Sequence, residues 1–567
     1  MFVAILRAPL VLFRRAFQKP VPWVHIKLRS HIVAAPRPRP FWTRWVPMMK
    51  ATEATPLSVL LKLTEAIEKD EKLVGVLLEV PGLASGWSAV ADVRDMLERM
   101  KRAGKRVVIH LPDGGSHREL YLASVADKVL VGRHTTWMLP GLASITRYTK
   151  PLLDKLGLAI EVQRRAEYKT AVEPLVRDAM SDAQREQTQA LIDSIEGAMR
   201  EGLREREGVD EAKIDALMER AMITAEDAVR EGWADAVVHE DEVLRALTDD
   251  AALSDKKPSK PMRAGPYLAR RTSRLFPRWK PLPVVAIVPV MGTISDGGAP
   301  HAATRTNLVP TLRALSREKE VRAVILYVDS PGGSAIASER IHREVERLAT
   351  LKPVIACFGD VSASGGYYIA APAQKIIARA QTITGSIGVV SARLVTTSLF
   401  NTLGVKTEVV KNAPSADLFT NPRATTEAER EHGERSIQAF YDRFLEVVSQ
   451  GRKMSTSAVD LVAKGRVWSG RDARTQGLVD RLGGLREALE EAKSAAGAAE
   501  LEAAFVWPMP GEEEPVEAPS LEKAGRAEML RLLGEIEPNL ALLASCTSLQ
   551  SSPHDVLALA LDLPRLE

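Results

Sequence analysis

The chain has 567 residues, 45% of them hydrophobic, 26% charged and 5% aromatic. At roughly 100–200 residues per domain, this length means two to four domains, with cores large enough to need no disulfide or metal staple. The two cysteines, Cys357 and Cys546, exclude a disulfide framework, and no CxxC or Cys/His cluster is spaced for zinc, so no metal is expected. The net charge of +4 is uneven: residues 1–50 hold ten Lys/Arg and no acid, which leaves 67 Lys/Arg against 73 Asp/Glu in the rest. A basic head on an acidic body points to an anionic surface near the N-terminus, lipid or nucleic acid.

Residues 2–13 (FVAILRAPLVLF) are apolar but interrupted by Arg7 and Pro9. A spanning helix needs about 20 apolar residues, so a basic amphipathic segment over 1–19, lying on an anionic lipid surface, is the better expectation. No nucleic-acid-binding module accompanies the basic arm, so nucleic acid is not expected as a partner.

Compared with itself, the chain repeats. A shift of 247 residues places Val74 on Val321, Gly86 on Gly333, Tyr121 on Tyr368 and Lys128 on Lys375; further on the shift is 245, with Ala228 on Ala473 and Gly232 on Gly477. A constant offset over nearly a hundred residues marks an internal duplication. The copies are expected over 20–247 and 282–500, joined by a polar linker over 248–281 and followed by a helical tail over 501–567. Apolar runs such as PVVAIVPV, AVILYVD, PVIACFG and KIIARA alternate with amphipathic stretches such as SAIASERIHREVERLAT, which predicts an α/β fold with a mostly parallel sheet in each copy.

Two glycine clusters follow strands of the second copy: DSPGGS at 329–334 and SASGGYY at 362–368. Parallel α/β sheets place ligand sites at such strand ends. Glycine lets backbone N–H groups approach a ligand, and a serine at a helix start has the positive end of the helix dipole beside it. The pair reads either as ordinary turns and caps or as a nucleophile, Ser364, with an oxyanion hole from the amides of Gly332 and Gly365. Neither is a P-loop or a dinucleotide fingerprint, and no cofactor is expected. No histidine lies beside the clusters; His342 falls mid-helix and reads as solvated surface. The candidate base is Lys169 in EYKTAVEP of the first copy. The shift places Ser364 on His117 and Lys169 on Ala416, so each copy carries one half of the pair.

DSPGGS, GDVSASGGYYIA and TGSIGV, with EYKTAVEP in the preceding duplicate, together resemble the long, duplicated form of signal peptide peptidase A, a family of serine–lysine proteases. The resemblance covers about residues 20–500 and implies two tandem Clp/crotonase-like lobes. It further implies Ser364 as nucleophile, Lys169 as general base, the Gly332 and Gly365 amides as oxyanion donors, and Ser386 as the hydroxyl that contacts the base. Ser362 is a nearby hydroxyl that the motif does not require. The expected partners are cleaved signal peptides or other short apolar peptides, bound as an added strand, and further copies of the chain in a ring, a tetramer by the family's habit. Association with a bacterial cell membrane is expected, with a cytoplasmic location as the alternative. A lysine base must be neutral, which requires its pKa to fall from about 10.4 toward 7–8, a bias of about 3–4 kcal/mol that burial can supply. The competing readings are a crotonase-type acyl-CoA enzyme using Asp360 or Glu339, and a non-catalytic membrane scaffold on a protease-like fold.

Overall fold

The structure is a computed structural model that describes residues 21–36, 54–248, 260–272, 282–298, 301–419, 423–509 and 557–559. The basic segment over 1–19, Cys546 and most of the C-terminal tail lie outside the described residues. Among those described, no helix is long and apolar enough to cross a membrane.

The chain forms two compact units, and they are not its two contiguous halves: residues 1–142 with 196–282 form the first, and 143–195 with 283–567 the second. In the first unit six strands lie in the order Ala236–Val238, Lys128–Gly132, Arg106–Leu111, Gly75–Glu79, Trp23–Lys27, Met262–Arg263, every neighbouring pair parallel. Their inward residues, among them Val76, Leu78, Val107, Ile109 and Val129, are buried, as strands covered on both faces must be.

The second unit repeats this order with Arg481–Leu482, Lys375–Ala378, Val354–Ala363, Val321–Ser330, Val284–Met291 and Glu502–Phe505, again all parallel. The repeat is visible element by element: helix Lys150–Lys155 falls on Thr397–Thr402 at a shift of 247, and strand Met222–Thr224 with helix Ala225–Arg230 falls on Val467–Ser469 with Gly470–Thr475 at 245. The structure is thus α/β and duplicated, with the apolar runs in the sheets.

The duplication breaks where the strands beside Lys169 form. Strand Ala159–Arg165 has no counterpart at 406–412, which carries no strand. It pairs antiparallel along its whole length with Val389–Val395, from Ala159 opposite Val395 to Arg165 opposite Val389. The segment following it, which contains Lys169, therefore belongs to the unit that contains Ser364.

Three expectations differ from the structure. The described part of the 248–281 stretch is ordered into a strand, Met262–Arg263, and a helix, Ala264–Thr272, because Tyr267 is buried with its hydroxyl 3.0 Å from an Asp70 carboxylate oxygen. The tail is not helical where it is described: Glu502–Phe505 is a strand beside Val284–Met291, and Leu557–Leu559 is a strand as well. The alternation Leu557-Ala558-Leu559-Ala560-Leu561 has period two, which suits a strand as well as any helical count suits it. His342 is buried rather than solvated. Its ring meets Tyr368 edge-on at 5.2 Å, and burial pushes its pKa down.

Candidate active site

Strand Val354–Ala363 runs straight into Ser364, and helix Gly365–Ala370 starts at the next residue. Ser364 turns the corner at φ +54° and ψ −118°, a region L residues rarely adopt and which costs about 1–3 kcal/mol. The corner is held on both sides: the Ser364 N–H donates to Gly385 O at 2.8 Å, and Tyr368 N–H donates to Ser364 O at 2.9 Å. Side chains on the two following residues would prevent the helix from seating here. A Cβ at Gly365 would meet Ser338 Oγ at 2.6 Å and Gly332 Cα at 3.2 Å, and one at Gly366 would meet Ser330 O at 2.7 Å. The two glycine clusters are therefore pressed together at the helix N-terminus.

Lys169 is fully enclosed, with 1% of its surface exposed, and Ser364 and Ser386 are buried beside it. Its Nζ lies 2.9 Å from Ser364 Oγ, 2.9 Å from Ser386 Oγ and 2.9 Å from Ser386 O. Desolvation alone lowers its pKa, from 10.5 to about 7. An amine in this state can take a proton from a hydroxyl near neutral pH. The helix head can supply the other half of such chemistry. The first amides of a helix have no intrahelical acceptor, so Gly365 N–H is available for a developing negative charge. Gly332 N–H rests 3.2 Å from Ser330 Oγ, a long bond that a stronger acceptor can replace.

Ser362, the hydroxyl next to the site in sequence, points away from it and donates to Val328 O. Of the two carboxylates of the acyl-CoA reading, Glu339 lines the cavity beside Gly365. Glu339 is bound by Tyr368 Oη and by Arg443 Nη2 at 3.1 Å, and Asp360 lies within strand Val354–Ala363, near the half-buried Asp329.

Several residues that hold Lys169 in place escaped the sequence reading. Gln187, buried on helix Asp182–Leu203, donates to Tyr168 O at 3.2 Å and to Thr170 Oγ1 at 2.6 Å, and accepts from Val467 N at 3.2 Å. It thereby ties both neighbours of Lys169 to the strand Val467–Ser469. Arg164 donates to Lys169 O at 3.3 Å and to Glu173 at 2.8 Å. Gly465, at φ +74°, lies against Lys169 so closely that a Cβ there would be 2.5 Å from Lys169 N. The contacts to Val467 and Gly465 join residues 280 or more apart and leave no local pattern in the sequence. The one available signal was the glycine in KGR at 464–466, and it reads as an ordinary turn.

A sequence profile of peptidase family S49 matches residues 99–254 and 346–499. The chain is 31% identical over 434 residues to the chloroplastic serine protease SPPA of Arabidopsis thaliana, covering 75% of this chain and 64%, a little under two thirds, of that protein. Protease 4 of Haemophilus influenzae is 32% identical over 449 residues, 75% of this chain and 71% of its own length. Protease 4 of Salmonella typhi is 30% identical over 434 residues, 75% of this chain and 69% of its own. A profile that matches twice, on a fold that repeats twice, leaves one conclusion: the chain belongs to peptidase family S49, in its long, duplicated form.

Proposed function

We propose that the chain is a serine endopeptidase in which Ser364 is the nucleophile, Lys169 the general base, Ser386 the hydroxyl that orients the base, and the amides of Gly332 and Gly365 the oxyanion hole. One observation carries the reading: an amine whose pKa burial brings down to about 7 lies 2.9 Å from the hydroxyl of a strained serine at a helix N-terminus. Lys169 takes the Ser364 proton as Oγ attacks the peptide carbonyl. The oxyanion then gathers toward the two amides, and Lys169 returns the proton to the leaving amine. Water, deprotonated by the same amine, hydrolyses the acyl-enzyme.

Short apolar peptides, cleaved signal peptides among them, suit the cavity beside Gly365. It has a volume of about 280 Å³ and is walled by Tyr368, Val389, Phe440 and Phe444, with the Glu339–Arg443 ion pair at its side. That is room for one aliphatic or aromatic side chain. Assembly into a ring of copies and contact of residues 1–19 with a bacterial membrane belong to the same proposal, and sizing and lipid flotation of the full chain test them.

The deciding experiment is hydrolysis of an apolar reporter peptide by the purified chain and its Ser364→Ala variant. The wild type is expected to cut and the variant to be inert; equal rates for the two would end the proposal. The pH profile carries a second expectation. The base works only when deprotonated, so kcat/KM should rise about tenfold per pH unit at acidic pH and level off above a midpoint of about 7. A rate that falls as pH rises through 7 would assign the wrong protonation state to the amine. Ser386→Ala removes one of the three groups that position Nζ and leaves the carbonyl, so a loss of about tenfold in kcat is expected, with KM unchanged.

A further inference from the structure

The bonds that seat Lys169 and those that seat Ser386 meet on one short stretch, residues 464–467. Tyr168 N–H donates to Lys464 O at 2.9 Å, and Ser386 N–H donates to Arg466 O at 2.7 Å. Strand Val467–Ser469 then pairs antiparallel with Ile383–Gly385, which leads directly into Ser386. Ser386 has φ +52°, a region L residues rarely adopt, so its place depends on bonds from outside. One stretch of backbone thus braces both sides of the amine. It holds the segment that carries Lys169, and it holds the residue whose carbonyl and hydroxyl meet Nζ.

The side chain of Arg466 fastens this stretch. Its guanidinium lies 4.8 Å from the centre of the Tyr168 ring and 4.6 Å from that of Trp468. Its Nη1 donates to Glu186 Oε1 at 2.6 Å, and the other oxygen of Glu186 accepts from Tyr168 Oη at 2.8 Å. Trp468 is fixed in turn, its Nε1 donating to Val462 O at 2.9 Å. A guanidinium suits this seat because its flat faces stack on rings while its edge donates to a carboxylate. Its charge does not act on the amine, since desolvation alone lowers the pKa of Lys169. Arg466 can therefore influence Lys169 only through position.

We propose that Arg466 is a positioning residue of the site, clamping Tyr168 and the backbone beside Ser386 so that Lys169 Nζ stays aligned with Ser364 Oγ. The inference rests on the serine–lysine peptidase reading. Loss of the clamp leaves every reacting group in the chain and disturbs only their alignment and their seclusion from water. The defect should therefore fall on kcat rather than KM, and the pH midpoint should move up as the amine becomes hydrated. Hydrogen bonds from Tyr168 and Arg466 hold the Glu186 carboxyl below its usual range, so the clamp stays ionised while the amine titrates.

The test compares Arg466→Met and Arg466→Lys with the unaltered full chain on the apolar reporter peptide. The methionine variant should lose about 10- to 100-fold in kcat, with KM within about twofold and the midpoint raised from about 7 by about one pH unit. The lysine variant keeps a charge for Glu186 but has no plane to stack, so it should recover only part of kcat; it carries the same test should the methionine variant fail to fold. Arg200→Met is the control. Arg200 is as exposed as Arg466, at 21% against 19%, and bridges Glu211 and Asp215, so its loss should cost stability without moving kcat or the midpoint. A second readout needs no catalysis. In Ser364→Ala, stability to denaturant should begin to rise with pH near 7, and adding Arg466→Met should delay that onset by about one unit. Arg466 variants that lose stability like Arg200→Met, yet keep kcat, midpoint and onset, would overturn the proposal. A chain that cuts no peptide but shows the delayed onset would refute the peptidase reading alone, and an active chain indifferent to both Arg466 variants would refute this inference alone.

Discussion

Lys169→Met is expected to lower kcat/KM for a peptide substrate by roughly 10⁴-fold or more and, at the same time, to stabilise the fold. The two effects have one cause. In the folded chain the amine sits in a cage with no counter-ion among the described residues, and burial brings its pKa from 10.5 to about 7. Between these values the unfolded chain holds a proton that the folded chain has released, so stability rises with pH across this window and is lowest below 7. Methionine removes the group responsible and fills most of its volume. The variant should therefore unfold at higher denaturant concentration at pH 7, by an amount corresponding to a few kcal/mol, and the gain should shrink toward pH 10. Lys169→Arg provides the contrast. A guanidinium keeps its proton, so this variant should be as inactive as the methionine variant but less stable than the wild type. A methionine variant that is inactive and also destabilised would mean that Lys169 holds the fold together rather than supplying a base.

How far such a site can be read before folding depends on the range of its contacts. The strands were legible because buried parallel strands are written as short runs such as AVILYV, and the duplication because two copies keep their spacing. Lys169, Ser364 and Ser386 were named from motifs, and the structure places Lys169 Nζ 2.9 Å from each of the two hydroxyls. Their union depends on a feature that no local pattern shows, the pairing of Ala159–Arg165 with Val389–Val395 across more than two hundred residues. Gln187 has the same character. On helix Asp182–Leu203 it is one polar residue among many, and only the folded chain reveals that it ties down both neighbours of Lys169.

His342 teaches the opposite lesson, because its signal was present. Ser338, Ile341, His342, Val345 and Leu348 are all buried on helix Ala335–Ala349, at the spacing of a single helical face. Residue type suggested a solvated histidine, whereas periodicity placed it inward. The tail is a third case. LALAL satisfies a two-residue period and can be fitted to a helix, and only the pairing of Leu557–Leu559 with Gly332–Ser334 decides between them.

Gly465→Ala is expected to lower kcat by about 10²- to 10³-fold with little change in KM, although residue 465 touches neither substrate nor the reacting atoms. Two effects are superimposed at this position. The backbone has φ +74°, where any L residue is strained, and an added Cβ would lie 2.5 Å from Lys169 N, 2.7 Å from its Cβ and 2.9 Å from its Cα. Backbone cannot step aside as a flexible side-chain end would, so the segment Tyr168–Thr170 must move. A shift of even half an ångström lengthens the 2.9 Å approach of Nζ to Ser364 Oγ beyond a useful hydrogen bond. Gly404 separates the two effects. It has the same φ of +74° but nothing within 4 Å of its would-be Cβ, so Gly404→Ala carries the strain without the collision. Both variants should lose about 1–3 kcal/mol of stability by denaturant unfolding. Only Gly465→Ala should lose turnover, and its pH midpoint should move up from about 7 as water gains access to a displaced amine. Equal turnover in the two variants would show that the seat of Lys169 tolerates a methyl group, and that the closeness of Gly465 is a matter of folding alone.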